Sequence, residues 1–190
     1  MNNAPRKESV YKMLGSSNHC TSHNRAAHDF YATDPKATEM LLDLEPLNKK
    51  VWEPACGDGA ISRVLENRGY QVKSTDKYYH GYGEAESFDF LADSLESSWD
   101  GDIMTNPPYA RGEAEAFARR ALDILQPGHK LVMFLRLNFL EGQSRRTLFE
   151  KYPPARVYVA SSRFRCAING DFEHDRESSA IAYSWFVWEK

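Results

Sequence analysis

The residue run with the clearest chemistry is Asn106-Pro107-Pro108-Tyr109. Proline has no backbone N–H and fixes its own φ angle, so the two prolines leave a stiff edge without donors. That edge presents two acceptors, the Asn106 side-chain oxygen and the Pro107 carbonyl. Together they form a receptor for an –NH2 group, and Tyr109 offers a flat π surface to a planar ring beside it.

An amine that is held by both of its N–H bonds turns its lone pair away from a conjugated ring and becomes a nucleophile. Attack on a sulfonium methyl group leaves positive charge on the nitrogen, which fixed acceptor dipoles stabilise. The proton becomes acidic only after transfer, so no strong base is needed at the start. A base in a duplex must be flipped out to reach such an edge. The other interpretations are a proline-rich turn and a Pro-Pro-Tyr ligand for an interaction module.

A second candidate site is the glycine turn from Glu53 to Gly59, between a short apolar run and a helical pattern. Glycine allows positive φ and close ligand approach, and ligands bind at the carboxyl ends of parallel strands. Asp76 follows the next apolar run, where a carboxylate can bind both ribose hydroxyls. Ser62 stands where a dinucleotide fingerprint needs its third glycine, which favours a nucleoside carrying an amino acid. The amino-acid end would meet Glu53 or backbone amides.

The elements that position these residues alternate along the chain. The predicted strands cover residues 51–54, 71–75, 102–105, 130–137, 156–160 and 179–188. The predicted helices start at Pro35, capped by Thr33 or Asp34, and cover residues 61–69, 112–126 and 142–150. This alternation predicts an α/β fold, a Rossmann-like, doubly wound and mostly parallel sheet of seven strands. The last two strands lack a helix between them and predict an antiparallel C-terminal hairpin.

Composition sets limits on the whole chain. With 190 residues and 42% hydrophobic content, the chain can build one sizeable core. The net charge of −3 argues against a module that grips nucleic acid by charge alone, but not against an enzyme that contacts it briefly. We expect no membrane span and no signal peptide, and three cysteines without framework spacing indicate a reducing, cytoplasmic compartment.

Residues 1–28 are polar and aperiodic, and they are predicted to form a flexible segment before one domain that spans residues 29–190. The histidines and the cysteine of this segment match no standard zinc spacing, so no metal site is expected. The basic pairs at 119–120 and 145–146 fit phosphate contacts and solvated surfaces equally well. Cys56 and Cys166 are predicted to be buried side chains rather than nucleophiles.

In their order, these residues resemble the motifs of class I S-adenosylmethionine-dependent methyltransferases that act on amino groups. The likeness rests on the glycine turn, Asp76, Asp89-Phe90 and the Asn106 run. Upstream, the run Asp29-Phe30-Tyr31-Ala32-Thr33-Asp34-Pro35 resembles the N-terminal cofactor motif of gamma-order DNA N6-adenine methyltransferases. Among these the chain is most similar to small stand-alone enzymes of phages and prophages. The resemblance implies S-adenosylmethionine as cofactor and methyl transfer to N6 of adenine in DNA.

The resemblance also implies roles for individual residues. Asp29, Tyr31 and Thr33 would border the methionine end of the cofactor. The residues of the glycine turn that would bind the cofactor are Glu53, Ala55, Gly57 and Gly59. Asp76 would bind the ribose, Asp89 would accept a hydrogen bond from the adenine amino group, and Phe90 would lie against the adenine ring. A flipped base would be sandwiched by an aromatic residue near the terminal strands, which is Phe172 or, as second choice, Phe164. Arg163 and Arg165 flank Phe164 and are predicted to contact the substrate.

Sequence-specific members of this family carry a separate target-recognition domain, for which the chain has no room. Recognition would then be weak, or come from loops, or be supplied by a partner protein. The same Asn106 run also occurs in methyltransferases that act on RNA bases and on glutamine side chains of proteins. RNA adenine or guanine and protein glutamine are therefore the alternative substrates, and a catalytically silent cofactor-binding regulator is a further alternative.

Overall fold

Strands and helices alternate through the structure, a computed structural model that describes residues 30–92, 97–110, 112–162, 164, 166–168 and 181–190. The strands are β1 Tyr31–Thr33, β2 Lys50–Glu53, β3 Gln71–Ser74, β4 Asp102–Thr105, β5 Lys130–Arg136, β6 Arg156–Val159, β7 Cys166–Ile168 and β8 Tyr183–Glu189. The α-helices are α1 Pro35–Leu44, α2 Ala60–Asn67, α3 Glu113–Ile124 and α4 Arg146–Lys151. None of the helices within these ranges is long and apolar enough to cross a bilayer.

Six strands form the main sheet, in the order β3-β2-β4-β5-β8-β6. β3, β2, β4 and β5 run parallel, so their carboxyl ends meet at one edge. β8 lies antiparallel between β5 and β6, which confirms the predicted antiparallel pair at the C-terminus. The mostly parallel, doubly wound architecture is also confirmed. The predicted count of seven strands in one sheet is not confirmed, since the described residues place six strands in the main sheet and two, β1 and β7, in a separate sheet.

Alternating side chains of the central strands divide the core into two layers. On β5, Leu131, Met133 and Leu135 face a cluster that includes α3, whereas Val132 and Phe134 face the cluster that holds α1 and α2. Because successive side chains of a strand point to opposite faces, helices must cover both faces of this sheet. The strand ends that carry the candidate residues are therefore held between two buried layers.

The first helix begins as the sequence predicts, with Pro35 at its first position. The Asp34 side chain caps it by accepting a hydrogen bond from the Lys36 backbone N–H at 3.1 Å. Just before this cap, β1 pairs antiparallel with β7 in a separate two-stranded sheet. This small sheet was not predicted, since its partners lie more than 130 residues apart in the chain. It sets the position of the segment that precedes α1.

A buried carboxylate joins α1 to two strands of the main sheet. Glu45, directly after α1, is 2% exposed. It accepts hydrogen bonds from Lys130 Nζ at 2.6 Å, from Arg156 Nε at 2.7 Å and from the Tyr158 hydroxyl at 2.7 Å. Burial alone would raise the pKa of Glu45, but the hydrogen bonds outweigh it and lower the pKa from 4.5 to about 2.

This depressed pKa predicts an acid-dependent stability. A carboxylate with a lowered folded-state pKa stabilises the fold above pH 4.5, and that contribution is lost as the pH falls toward 2. The shift corresponds to ~3 kcal/mol in the free energy of unfolding. We expect denaturant titrations across this window to show that loss in the wild type. The Glu45→Gln variant should be less stable at neutral pH. Its free energy of unfolding should lack the loss that Glu45 causes in the wild type as the pH falls from 4.5 toward 2.

Glu39 provides the matched control, since it is exposed on the same helix. Glu39→Gln should follow the wild-type profile. Parallel profiles for wild type and Glu45→Gln would show that the buried cluster does not carry the acid response.

Candidate functional site

The carboxyl ends of β2, β3 and β4 open onto a cavity of about 470 Å³. Most of the residues singled out in the sequence line it, namely Tyr31, Thr33, Glu53, Ala55, Asp76, Asp89, Phe90, Asn106, Pro107, Pro108 and Tyr109. Gly57 and Gly59 alternate with lining residues Cys56, Asp58 and Ala60 in the turn beneath it. The two motifs found in the sequence therefore share one cleft, as adjacent parallel strands require.

The glycine turn is shaped by its own backbone and by Asp76. Gly57 and Gly59 have φ angles of 54° and 85°, a region that side chains disfavour. The Gly57 N–H donates to Asp76 Oδ2 at 2.8 Å, so the candidate ribose carboxylate also fixes the turn. A Cβ atom at Gly57 would overlap the Phe30 ring, and one at Gly59 would lie 2.5 Å from the Tyr82 ring. Both glycines are thus required by packing as well as by conformation.

Ser62 occupies the third position of the incomplete dinucleotide fingerprint and has a different role. Its hydroxyl is buried and donates to the Glu53 carboxylate, and it lies 2.7 Å from the Ser74 hydroxyl. Burial raises the pKa of the Glu53 carboxyl well above its ordinary 4.5, and the hydrogen bond from Ser62 counteracts only part of that rise. Glu53 therefore keeps its proton at pH values where an exposed glutamate is charged.

Asp89 is held by a lysine that sequence reasoning missed. Asp89 Oδ2 pairs with Lys77 Nζ at 2.8 Å, and Asp89 Oδ1 accepts from the Leu91 N–H at 3.1 Å. The hydrogen bond from Lys77 lowers the pKa of Asp89 and keeps it ionised as an acceptor. Phe90 beside it is buried and packs edge-on against Trp52, with 5.2 Å between ring centroids. An acceptor and an aromatic wall thus stand together at one end of the cavity.

Asn106, the residue after β4, has a fixed amide orientation. Its Nδ2 donates to the Tyr31 carbonyl at 2.9 Å and to Thr33 Oγ1 at 3.0 Å. The Tyr31 carbonyl can only accept, so the nitrogen must be the amide atom that faces β1. Both N–H bonds are consequently used inside the protein. Asn106 presents its oxygen, Oδ1, on the other side.

Tyr109 is anchored by its hydroxyl rather than standing free. The hydroxyl lies 2.6 Å from Asn106 Oδ1 and 2.9 Å from the Phe134 carbonyl, and its single proton can serve either acceptor. The Tyr183 ring lies at 5.9 Å and the Arg136 guanidinium at 5.0 Å from the Tyr109 ring centroid. The half-buried run is built into the fold, which disfavours its use as a peptide ligand for another protein.

A stacked aromatic pair, also missed in the sequence, contributes to the cavity wall. Phe30 and His80 stack with 4.5 Å between centroids, and both line the cavity. The pair joins the chain before β1 to the loop after β3, across Gly57. Phe30 lies inside the upstream motif, which is the one signal that could have indicated it. His80 and Lys77 carry no motif, and their positions depend on how the 77–92 loop folds back.

Several predicted site residues lie outside the described residues: Asp29, Arg163, Arg165 and Phe172. Phe164 does not line the cavity; its half-buried ring packs toward Phe134, with 6.4 Å between centroids. Residues 1–28 and the histidines of that segment also lie outside, and the described residues contain no cluster placed to hold a metal ion.

The basic pairs at 119–120 and 145–146 are largely engaged within the protein. Arg119 pairs with Glu115 at 2.7 Å and Arg146 with Glu150 at 2.7 Å, while Arg145 donates to backbone carbonyls. These contacts favour the surface interpretation for the three arginines over a dedicated phosphate role. Cys56 is buried as predicted, and burial, with the nearby Glu53 carboxyl, raises its thiol pKa and disfavours a nucleophilic role.

Comparison with protein-family models and with curated protein sequences finds no match. Solved structures do match. A Listeria monocytogenes protein described as a class I S-adenosylmethionine-dependent methyltransferase gives a TM-score of 0.58 at 13% identity, covering 96% of this chain and 66% of that chain. A Pyrococcus horikoshii protein described as an RNA methyltransferase gives a TM-score of 0.55 at 12% identity, covering 82% of this chain and 80% of that chain. The T. thermophilus 16S rRNA methyltransferase RsmC, in complex with AdoMet and guanosine, gives a TM-score of 0.50 at 18% identity, covering 81% of this chain and 43% of that chain.

At these identities the likeness is one of fold. The structural neighbours of this chain are class I S-adenosylmethionine-dependent methyltransferases, and the mixed sheet with its antiparallel C-terminal strands matches theirs. The fold that the motif resemblance predicted is thereby confirmed. The narrower likeness to gamma-order DNA N6-adenine enzymes stays a prediction.

Proposed function

We propose that this chain transfers a methyl group from S-adenosylmethionine to an exocyclic amino nitrogen, and that its substrate is N6 of adenine in DNA. The observation that carries the proposal is the fixed amide of Asn106. Both of its N–H bonds are taken up by Tyr31 and Thr33, so the residue offers only an acceptor to a ligand. An acceptor edge selects a substrate that donates, and an amino group is such a donor.

The cavity residues fit the proposed cofactor. Asp76 would accept from the ribose hydroxyls, Asp89 with Phe90 would hold the adenine, and Glu53 would meet the cofactor's ammonium group. All four line the same cavity: Glu53 ends β2, Asp76 follows β3, and Asp89 and Phe90 lie in the loop between β3 and β4. A nucleoside that carries an amino acid needs this distribution of acceptors, and it makes no demand for a phosphate-binding turn. The bound cofactor would supply an electrophilic methyl group on sulfur.

The protein's contribution to the reaction is to hold the amine and stabilise its developing charge. Asn106 Oδ1 and the Pro107 carbonyl accept the two N–H bonds of the substrate. When the substrate amine binds Oδ1, the Tyr109 hydroxyl can donate its hydrogen bond to the Phe134 carbonyl alone, 2.9 Å away. The acceptor dipoles then face the nitrogen on which positive charge develops. Once the methyl group has passed from sulfur to nitrogen, the surplus N–H proton is acidic enough to pass to water, so none of these residues must act as a strong base.

The choice of adenine in DNA rests on the sequence motifs, in particular the upstream run and the Asn106 run. RNA is the second candidate, because two of the structural neighbours are RNA methyltransferases. Arg119, Arg145 and Arg146 are engaged in contacts within the protein, and we propose that Arg163 and Arg165, or a partner protein, contact the phosphates. That arrangement fits brief contact with nucleic acid rather than tight binding.

Cofactor binding should be linked to protonation of Glu53. Because burial raises the pKa of this carboxyl, the free protein holds a proton that the cofactor's ammonium group would displace. We expect the affinity for S-adenosylhomocysteine to rise with pH up to that raised pKa and then to level off. Calorimetry in buffers of different ionisation enthalpy should detect the released proton.

Glu53→Gln has no proton to release, so its affinity should be weaker and independent of pH across the same window. Glu39→Gln on the exposed face of α1 is the control and should behave as wild type. Equal pH profiles for wild type and Glu53→Gln would remove Glu53 from the cofactor site.

Methyl transfer should depend on Asn106. Loss of one preorganised polar contact to a developing charge slows an enzyme by roughly 100-fold or more, and we expect Asn106→Ala to fall in this range. Its affinity for S-adenosylhomocysteine should stay near that of wild type. Asn67→Ala, at an exposed position at the end of α2, should keep full activity.

The assay measures transfer of labelled methyl groups to DNA, RNA and protein offered side by side, followed by mass spectrometry of the nucleosides. N6-methyladenine from DNA is the expected product. Label in RNA or in glutamine alone would replace the proposed substrate by one of the alternatives. Cofactor binding without transfer to any of the three would favour the silent regulator.

A further inference from the structure

The contacts of Asn106 point to a residue that sets its orientation. The Asn106 side chain has three hydrogen-bond partners, and two of them, the Tyr31 carbonyl and the Thr33 hydroxyl, belong to β1, more than 70 residues earlier in the chain. β1 is not part of the main sheet; it pairs with β7 in the two-stranded sheet. The catalytic edge therefore depends on a strand that the parallel sheet itself does not need.

Only one of the two contacts from β1 can be removed by a substitution. The Tyr31 contact is made by a backbone carbonyl, which any residue at this position would supply. The Thr33 contact is made by a side-chain hydroxyl, 3.0 Å from Asn106 Nδ2. Thr33 is 2% exposed, so water cannot readily replace that hydroxyl if it is removed. The orientation of the amide plane thus depends on one replaceable group.

The roles implied by the sequence would have Thr33 border the cofactor. The structure shows its hydroxyl accepting a hydrogen bond from the Asn106 amide, while Thr33 also lines the cavity. The two roles predict different effects when the hydroxyl is removed. A hydroxyl that contacts the cofactor affects cofactor affinity, whereas a hydroxyl that orients Asn106 affects the rate of transfer once both ligands are bound.

We propose that Thr33 is a positioning residue, whose hydroxyl accepts the second N–H of Asn106 and holds Oδ1 toward the reacting amine. This inference rests on the proposed function. Without the hydroxyl, one N–H of Asn106 lacks a hydrogen-bond partner. The amide is then held on this side only by its hydrogen bond to the Tyr31 carbonyl and can rotate. The distance between Oδ1 and the amine is then no longer fixed, and transfer slows.

The chain offers a matched control for removing this hydroxyl. Thr38 on α1 is also fully buried, and its Oγ1 has no hydrogen-bond partner among the described residues. Thr33→Val and Thr38→Val make the same change of atoms in two buried threonines. They differ in whether an Asn106 contact is lost.

Steady-state kinetics on the substrate identified for the wild type, together with calorimetry of S-adenosylhomocysteine, tests the proposal. Thr33→Val should lower kcat roughly tenfold, with cofactor affinity within about twofold of wild type. Thr33→Ser restores the hydroxyl and should recover most of kcat, and Thr38→Val should match wild type. The proposal is overturned if Thr33→Val keeps the wild-type kcat, if it mainly loses cofactor affinity, or if Thr33→Ser is as slow as Thr33→Val.

A measurement on the wild type keeps the proposal testable if Thr33→Val does not fold or if no substrate is found. In nitrogen–proton NMR spectra, the Asn106 side-chain pair is assigned by its loss in Asn106→Asp. Both of its protons should exchange slowly with water, since one is hydrogen-bonded to the Tyr31 carbonyl and the other to the Thr33 hydroxyl. Rapid exchange of one proton would show that Thr33 does not hold it. This result is independent of activity, so it separates failure of the positioning role from failure of the proposed function.

Discussion

The site depends on the orientation of a single side-chain amide. An asparagine can present either a donor or an acceptor to a ligand, and these select opposite kinds of substrate. In this chain the Tyr31 carbonyl and the Thr33 hydroxyl take both N–H bonds of Asn106, so the oxygen is the amide atom that remains for a ligand. The two prolines that follow add a carbonyl and no donor. The acceptor character of the edge is therefore a property of the fold and not only of the motif.

The parallel sheet explains why acceptors with separate tasks meet in one cavity. Glu53, Asp76 and Asn106 each follow or end a different strand, and parallel pairing brings those ends to the same edge. Their environments then make them different from one another. Glu53 is buried and keeps its proton, Asp76 accepts from the glycine turn, and Asn106 is fixed by β1. Three similar acceptors thereby gain three distinct roles.

The sequence predicted what local pattern and motif order determine. The start of α1 at Pro35, the parallel strands and the shared edge of the two motifs were all correct, because each follows from short-range chemistry or sheet geometry. Contacts between side chains far apart in the chain were not predicted. The Thr33 hydroxyl on Asn106, Lys77 on Asp89 and the β1–β7 sheet depend on how loops fold back. Tyr109 lines the cavity, but its hydroxyl is hydrogen-bonded within the protein, which periodicity and spacing do not reveal.

A crystal structure with S-adenosylhomocysteine and an adenine-containing DNA strand tests the central claim most directly. We predict that the exocyclic amino nitrogen lies about 3 Å from both Asn106 Oδ1 and the Pro107 carbonyl. The Asn106 amide nitrogen should still bond to the Tyr31 carbonyl. A base bound elsewhere, or an Asn106 amide that has left β1 and turned its nitrogen to the ligand, would contradict the account.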